Sequence, residues 1–145
     1  MARQMGWTWA ALGILLVLVF GGTALMMATM KSGIAQKSRT RVMQASADDA
    51  RAIFVAVRTY RESFGRIPVS QRRAVWTRAH GLDATLSGLI GYPGPKGHPR
   101  FDFYLEPSGA VSAFANGEDP GLQAVGMAIL LDPNGTMTTT RGMRP

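Results

Sequence analysis

The chain has 145 residues, about the length of one domain, and carries 16 Lys and Arg against 9 Asp and Glu, for a formal charge of +7. It has no cysteine, which excludes disulfides, thiolate metal sites and a cysteine nucleophile. Hydrophobic residues make up 46% and charged residues 17%, and the apolar excess lies at the N-terminus. These figures favour one small domain preceded by an apolar segment.

The apolar segment predicts a transmembrane helix over residues 7–30. No charged residue occurs between Arg3 and Lys31. As a helix, residues 7–30 would be ~36 Å long, enough to cross the hydrocarbon core. Trp7 and Trp9 stand at its start, where indole rings favour the membrane interface. Because Lys31 follows the span without a small-x-small pattern, a cleaved secretory signal is disfavoured.

The helical pattern continues over residues 31–64, which contain no proline and one glycine, Gly33. Arg58 and Glu62 form an i,i+4 pair on its polar side, and Gly65 followed by Pro68 ends it. Apolar residues recur at helical spacing and predict one buried face. They are Met43, Ala47, Ala50, Ile53, Phe54, Val57, Tyr60 and Phe64.

The pattern changes after this helix. Residues 70–80 predict a short second helix capped by Ser70. Residues 82–90 fit either another short helix or an irregular segment. Residues 91–99 contain three prolines and three glycines and predict a loop. The apolar side of the second helix would comprise Ala74, Val75 and Ala79.

The C-terminal third predicts about four antiparallel strands. Turn residues cluster at 107–109 and 132–135, and a loop is expected over 116–121. The predicted strands are residues 100–105, 110–115, 123–131 and 136–140.

These elements predict an α+β fold, with a long N-terminal helix packed on a small antiparallel sheet. The second, amphipathic half of that helix is the expected cover, because a sheet of this size needs one face covered. The expected organisation is a transmembrane helix at 7–30, a helical extension at 31–64 and a globular region at 65–145.

Two short stretches have a recognisable form. Met1-Ala-Arg-Gln-Met-Gly6 is basic and ends in glycine directly before the apolar helix. Residues 52–64 form an alanine- and tyrosine-bearing helix that runs into Gly65-Arg-Ile-Pro68. With the small sheet that follows, they resemble the leader and the Gly-Arg-x-Pro helix end of the type IV pilin superfamily, especially pseudopilins and minor pilins. The resemblance covers most of the chain in layout and these two stretches in sequence.

The resemblance implies a structural subunit of a pseudopilus or type IV pilus, without enzymatic activity, in the bacterial inner membrane with its C-terminal domain in the periplasm. A leader peptidase would cut after Gly6, and Trp7 would become the methylated N-terminus. The implied partners are other pilin-like subunits, the inner-membrane assembly platform and membrane lipid. The residues expected in helix packing are Trp9, Leu12, Leu15, Leu16, Val19 and Phe20.

The chain departs from the family where it has Trp7 for the usual Phe and Ala11 for the usual Glu. The family's carboxylate would neutralise a neighbour's amino terminus in the apolar core. Its absence fits a subunit at a filament tip, or a chain that is never processed.

The alternative is an unprocessed single-pass membrane protein whose small domain binds a partner or anionic lipid. A plain count of the basic residues after the span would place the C-terminal side in the cytoplasm. They are Lys31, Lys37, Arg39 and Arg41.

No catalytic site is predicted. His80 and His98 have no helical His or carboxylate partner, and neither a Ser-His-Asp grouping nor a phosphate-binding loop can be argued. Trp76 lies among arginines in a basic-aromatic pattern that can bind phosphate, although a solvated helix face is favoured and nucleic acid is not an expected partner. Those arginines are Arg72, Arg73 and Arg78.

Two loops carry oxygen ligands of the kind that calcium prefers. The chain lacks EF-hand spacing, and Asp and Asn are ordinary turn formers. No metal site or cofactor is therefore predicted, with calcium left as the open alternative. The loop residues concerned are Asn116, Glu118 and Asp119, and Asp132 and Asn134.

Overall fold

The computed structural model describes residues 5–97 and 99–143, with side chains for residue 33 and for residues 35–97 and 99–143. The chain divides into two compact units, Met1–Arg41 and Val42–Pro145. In chain order the elements are α1 (Met5–Phe64), β1 (Arg73–Thr77), β2 (Gly81–Leu82), α2 (Ala84–Ile90), β3 (Phe101–Leu105), β4 (Val111–Ala115), α3 (Pro120–Ala124), β5 (Ala128–Leu131) and β6 (Met137–Thr140).

The first unit, in its described part, is helical backbone of α1. Among the residues that the structure describes, no helix is both long enough and apolar enough to cross a membrane. The side chains of the predicted span, residues 7–30, lie outside those residues, so the transmembrane helix stays a prediction.

In the second unit α1 packs on the sheet, which confirms the α+β arrangement. All of the predicted apolar face except its last residue lies in the core or against it. Phe64 was wrongly included, since 64% of it is exposed. It is the last residue of the helix, and its ring contacts Tyr60, with the ring centroids 4.6 Å apart. The predicted Arg58–Glu62 pair is confirmed, with 2.9 Å between Nε and Oε1.

The sheet has six antiparallel strands in the order β2-β1-β3-β4-β5-β6. The strands predicted in the C-terminal third are β3 to β6, and all four are present, so the expected count fell short by β1 and β2. Alternate residues of β3 are buried, as expected for one covered face. The buried sheet residues in the core are Val75, Phe101, Phe103, Leu105, Val111, Ala113, Ile129 and Leu131.

The predicted helix over residues 70–80 is wrong, because Arg73–Thr77 form strand β1. A helix this short has little stability of its own, and Val75, Trp76 and Thr77 all favour strands. Pairing with β3 therefore decides the conformation, and it buries Val75 completely.

The predicted strand over residues 123–131 is shorter than expected and begins at Ala128. The residues before it form helix α3. The Asp119 carboxylate begins α3 by accepting the N–H groups of Gly121 and Leu122, at 3.0 and 3.1 Å, and Pro120 fills the first turn. Asp119 followed by Pro120 thus begins a helix in a segment for which the sequence predicts a loop and a strand.

For residues 82–90 the sequence leaves a short helix or an irregular segment open, and the structure has the helix, α2. The Asp83 carboxylate caps it by accepting the Leu86 N–H at 2.9 Å, and it also pairs with Arg73 Nε at 2.7 Å. The bond from Leu86, with the contribution of Arg73 second, holds the pKa of Asp83 below its ordinary value of 3.8. Gly91 ends the helix in the left-handed conformation, with φ of 71°.

We expect Asp83→Ala to lower the free energy of unfolding at pH 7 by about 1 kcal/mol, the usual cost of a lost cap. A lowered pKa stabilises the folded state above the unfolded value of 3.8, and this contribution is lost as pH falls through the folded pKa. The variant should therefore approach the parent below pH 3.8 in denaturant titrations. Asp83→Asn, which keeps a cap but no charge, should lose less at pH 7; an equal loss would contradict the capping role.

Candidate functional site

A groove lies between α1 and the loop that follows α2, and we call it the Asp49 groove. Its volume is about 370 Å³. The α1 wall is made mostly of small or exposed side chains, and the opposite wall is the proline- and glycine-rich loop. The lining residues that matter below are Asp49, Ala52, Val55, Ala56, Tyr92 and Lys96.

Asp49 is a carboxylate on the buried side of α1, with 8% of the residue exposed. One oxygen accepts the backbone N–H of Lys96 at 3.3 Å, and among the described residues Asp49 has no ion pair, whereas the neighbouring Asp48 pairs with Arg51 at 3.1 Å. Burial raises the pKa of Asp49 above its ordinary value. The charge of Asp48 adds to that rise, while the Lys96 N–H and charge oppose it.

Tyr92 lines the same groove as Asp49, with 3% of the residue exposed. Its backbone is fixed at the end of α2, where its N–H donates to the Ser87 carbonyl at 3.0 Å and its carbonyl accepts from the Ser87 hydroxyl. Its phenol hydroxyl is buried and has no hydrogen-bond partner among the described residues. Burial, with the charge of Asp49 second, raises the pKa of Tyr92 far above its ordinary value.

The sequence carries a signal for one of these two residues. Asp49 stands four positions before Ile53 and next to Ala50, so it belongs to the buried face, where a carboxylate is unusual. Tyr92 is the lone aromatic residue in its loop, and nothing in the local pattern indicates that its hydroxyl is buried. Sequence reasoning identified neither.

A second, larger cleft of about 770 Å³ lies where β4 ends, lined in part by Arg78, Asp102, Asn116, Gly117 and Gln123. The side chain of Asn116 connects three segments around this cleft by hydrogen bonds. Its amide nitrogen donates to the Pro99 carbonyl at 3.3 Å and to Asp102 Oδ1 at 3.2 Å, and its amide oxygen accepts the Glu118 N–H at 3.0 Å.

Charged side chains at and beside this cleft have partners within the described part of the chain. Glu118 pairs with Arg78 at 2.8 Å and with Arg100 at 3.1 Å. Asp102 has no ion pair among the described residues, but it accepts the backbone N–H of Arg78 at 2.8 Å and the Asn116 amide at 3.2 Å. Asp102 therefore has two hydrogen-bond donors among these residues, whereas Asp49 has one.

The two loops with candidate calcium ligands lie at opposite ends of β4. Asn116, Glu118 and Asp119 follow its last residue, whereas Asp132 follows Leu131, which pairs with Val111 at its beginning. Asp132 accepts the N–H groups of Asn134 and Thr136, as in an ordinary turn. Within the described residues no three His, Cys, Asp or Glu side chains form a group that could hold a metal ion.

The structure separates the basic-aromatic pattern around Trp76. Arg72 lies over the rings of Tyr104 and Phe114, at 4.3 and 5.0 Å from their centroids. Its charge pairs with Glu106 at 3.2 Å. Arg73 and Arg78 pair with Asp83 and Glu118. The pattern lies on a strand and its flanking turn, so the predicted solvated helix face is wrong.

The remaining predicted positions contribute no assembled site. His80 is exposed in the turn between β1 and β2, and His98 lies outside the described residues. The predicted processing and packing residues lie in or next to the first turns of α1, but their side chains lie outside the described residues. They are Gly6, Trp7, Trp9, Leu12, Leu15, Leu16, Val19 and Phe20.

Comparison with protein-family models, with curated proteins and with solved structures found no match for this chain.

We expect Asn116→Ala to lower the free energy of unfolding by about 1–3 kcal/mol, because it removes hydrogen bonds from a residue that is 6% exposed. Glu118→Ala should cost less than about 1 kcal/mol, since its ion pairs are partly exposed. Denaturant titrations of the two variants test the assignment. A larger loss for Glu118→Ala would show that the ion pairs, and not Asn116, hold the end of β4.

Proposed function

We propose that the chain is a structural subunit of a pilin-like assembly, either a pseudopilus or a type IV pilus, and that it acts by anchoring and helix packing without catalysis. The domain would project from a bacterial inner membrane into the periplasm. The sequence resemblance provides the starting point, and the layout of the described elements supports the same reading.

The observation that carries this proposal is the division of α1. The helix runs from Met5 to Phe64, yet the domain that buries one of its faces begins only at Val42. The preceding helical stretch belongs to a separate unit and has the apolar sequence of residues 7–30. One end of α1 packs on a small sheet and the other end is apolar. This arrangement is expected of a subunit that is anchored and packed through its N-terminal part.

Individual residues have distinct roles in this proposal. Gly6 and Trp7 would flank the processing point. Ala11 provides no carboxylate to pair with a neighbour's amino terminus, which favours a minor subunit at the tip of the assembly. The packing surface would include Trp9, Leu12, Leu15, Leu16, Val19 and Phe20, and the partners would be similar subunits, the assembly platform and membrane lipid.

A second candidate function is an unprocessed single-pass membrane protein whose domain binds a partner or anionic lipid. Lys37, Arg39 and Arg41 favour it, because all three are exposed and none forms an ion pair among the described residues. Basic residues beside a span attract anionic headgroups and retain the flanking segment in the cytoplasm.

The mass of the mature N-terminus, measured in cells that contain a prepilin peptidase, separates these functions. We expect the parent chain to begin at a methylated Trp7. Gly6→Ala should retain the leader, and the matched control Gly13→Ala, a glycine within the same apolar stretch, should be processed like the parent. A chain that begins at Met1 or Ala2 in all three cases would contradict the pilin-like proposal and favour the unprocessed membrane protein.

A further inference from the structure

Two residues that line the Asp49 groove carry polar groups that the described part of the chain leaves short of partners. Asp49 is a buried carboxylate without an ion pair, and the Tyr92 hydroxyl is buried without a hydrogen bond. A buried charge and a buried unpaired hydroxyl each destabilise a fold. Both destabilising features occur in one groove, which suggests that they are retained for binding.

The chemistry of these groups defines the ligand. A carboxylate accepts hydrogen bonds, and a phenol oxygen accepts one as well. Their natural complement is a cation with several N–H donors, which is a guanidinium or an ammonium group. Ala52, Ala56 and Val55 supply an apolar wall of the kind that the methylene stem of an arginine or lysine covers.

The charge balance of the chain indicates where such a cation comes from. The chain has 16 Lys and Arg for 9 Asp and Glu. Several arginines are exposed and form no ion pair among the described residues. They are Arg39, Arg41, Arg61, Arg66 and Arg141. A second copy therefore carries several cations that have no partner among the described residues, and the helix that lines this groove is α1, whose N-terminal part the proposed function assigns to packing.

We infer that the Asp49 groove receives an arginine or lysine side chain from a second copy of the chain. Asp49 is the counter-ion, and the Tyr92 hydroxyl is a further acceptor. The inference rests on the proposed function, because it adds a polar contact in the domain to the packing of the N-terminal helices. It gives the domain a means of setting the register between neighbouring copies that apolar helix packing lacks.

One cation of the same chain, Lys96, lines this groove. Its backbone contacts Asp49, and its ammonium group forms no ion pair among the described residues. If Lys96 were the partner of Asp49 in solution, Lys96→Gln would destabilise the fold, and Asp49→Asn would leave association between copies unchanged. The inference predicts the reverse pattern. Lys96→Gln leaves association intact, and Asp49→Asn weakens it.

The test measures self-association of the full chain in detergent micelles by energy transfer between two labelled populations. We expect Asp49→Asn to weaken association at least about tenfold, because it leaves the neighbour's cation unpaired. Asp48→Asn is the matched control, an exposed acid one residue away that already pairs with Arg51, and it should change association less than about twofold.

Tyr92→Phe tests whether the hydroxyl serves association between copies or the stability of the fold. Removal of a buried hydroxyl without a partner should leave the midpoint of thermal unfolding unchanged or raise it. The same change should weaken association about threefold or more. A variant that unfolds earlier and associates normally would overturn the inference, since it would make the hydroxyl a structural group only.

Cross-linking identifies the contact, because the parent chain has no cysteine. Val55→Cys is mixed with a second chain that carries Arg39→Cys, Arg41→Cys, Arg61→Cys, Arg66→Cys or Arg141→Cys. A disulfide between copies for one of these pairs, lost when Asp49→Asn is added, supports the inference. If association persists unchanged in Asp49→Asn and Tyr92→Phe, or if the chain does not associate, the inference is wrong. The proposed function is judged separately by the N-terminal mass.

Discussion

The fold of the second unit depends on the burial of one face of its sheet. A small antiparallel sheet is not stable with both faces in water. Ile53 and Val57 of α1 belong to the same buried cluster as Phe101 and Phe103 of β3, and all four side chains are almost completely buried. Each such side chain contributes about 1.5–3 kcal/mol when buried. The 42–64 part of α1 is therefore an integral part of the domain.

The same helix forms one wall of the Asp49 groove. Asp49 lies on the buried side of α1, and the loop that carries Tyr92 contacts it through the Lys96 N–H. Gly91 ends α2, and Ser87 holds the Tyr92 backbone at the start of that loop. The apolar contacts that stabilise the domain thus place a carboxylate and a hydroxyl together with few partners. The stabilising core and the candidate contact surface share one helix.

The elements that follow from local patterns were predictable, and those that depend on distant pairing were not. Helical spacing identified the buried face of α1, and turn residues separated β3 to β6. The local pattern predicts a helix that includes Arg73–Thr77, whereas these residues form a strand through their pairing with β3. The calcium alternative depended on two loops that strand register holds apart, with Val111 opposite Leu131. The Tyr92 hydroxyl has no hydrogen-bond partner among the described residues, and this likewise depends on neighbours distant in sequence, which no local pattern reveals.

Hydrogen exchange of the full chain, followed by mass spectrometry across denaturant concentrations, tests most directly whether the helix belongs to the domain. If α1 is part of the core, amides around Ile53 and Val57 exchange only by global unfolding, with the same free energy as those of β3. We expect one shared free energy and one shared denaturant dependence for these two segments. Exchange of the helix through a smaller opening, while β3 stays protected, would contradict it.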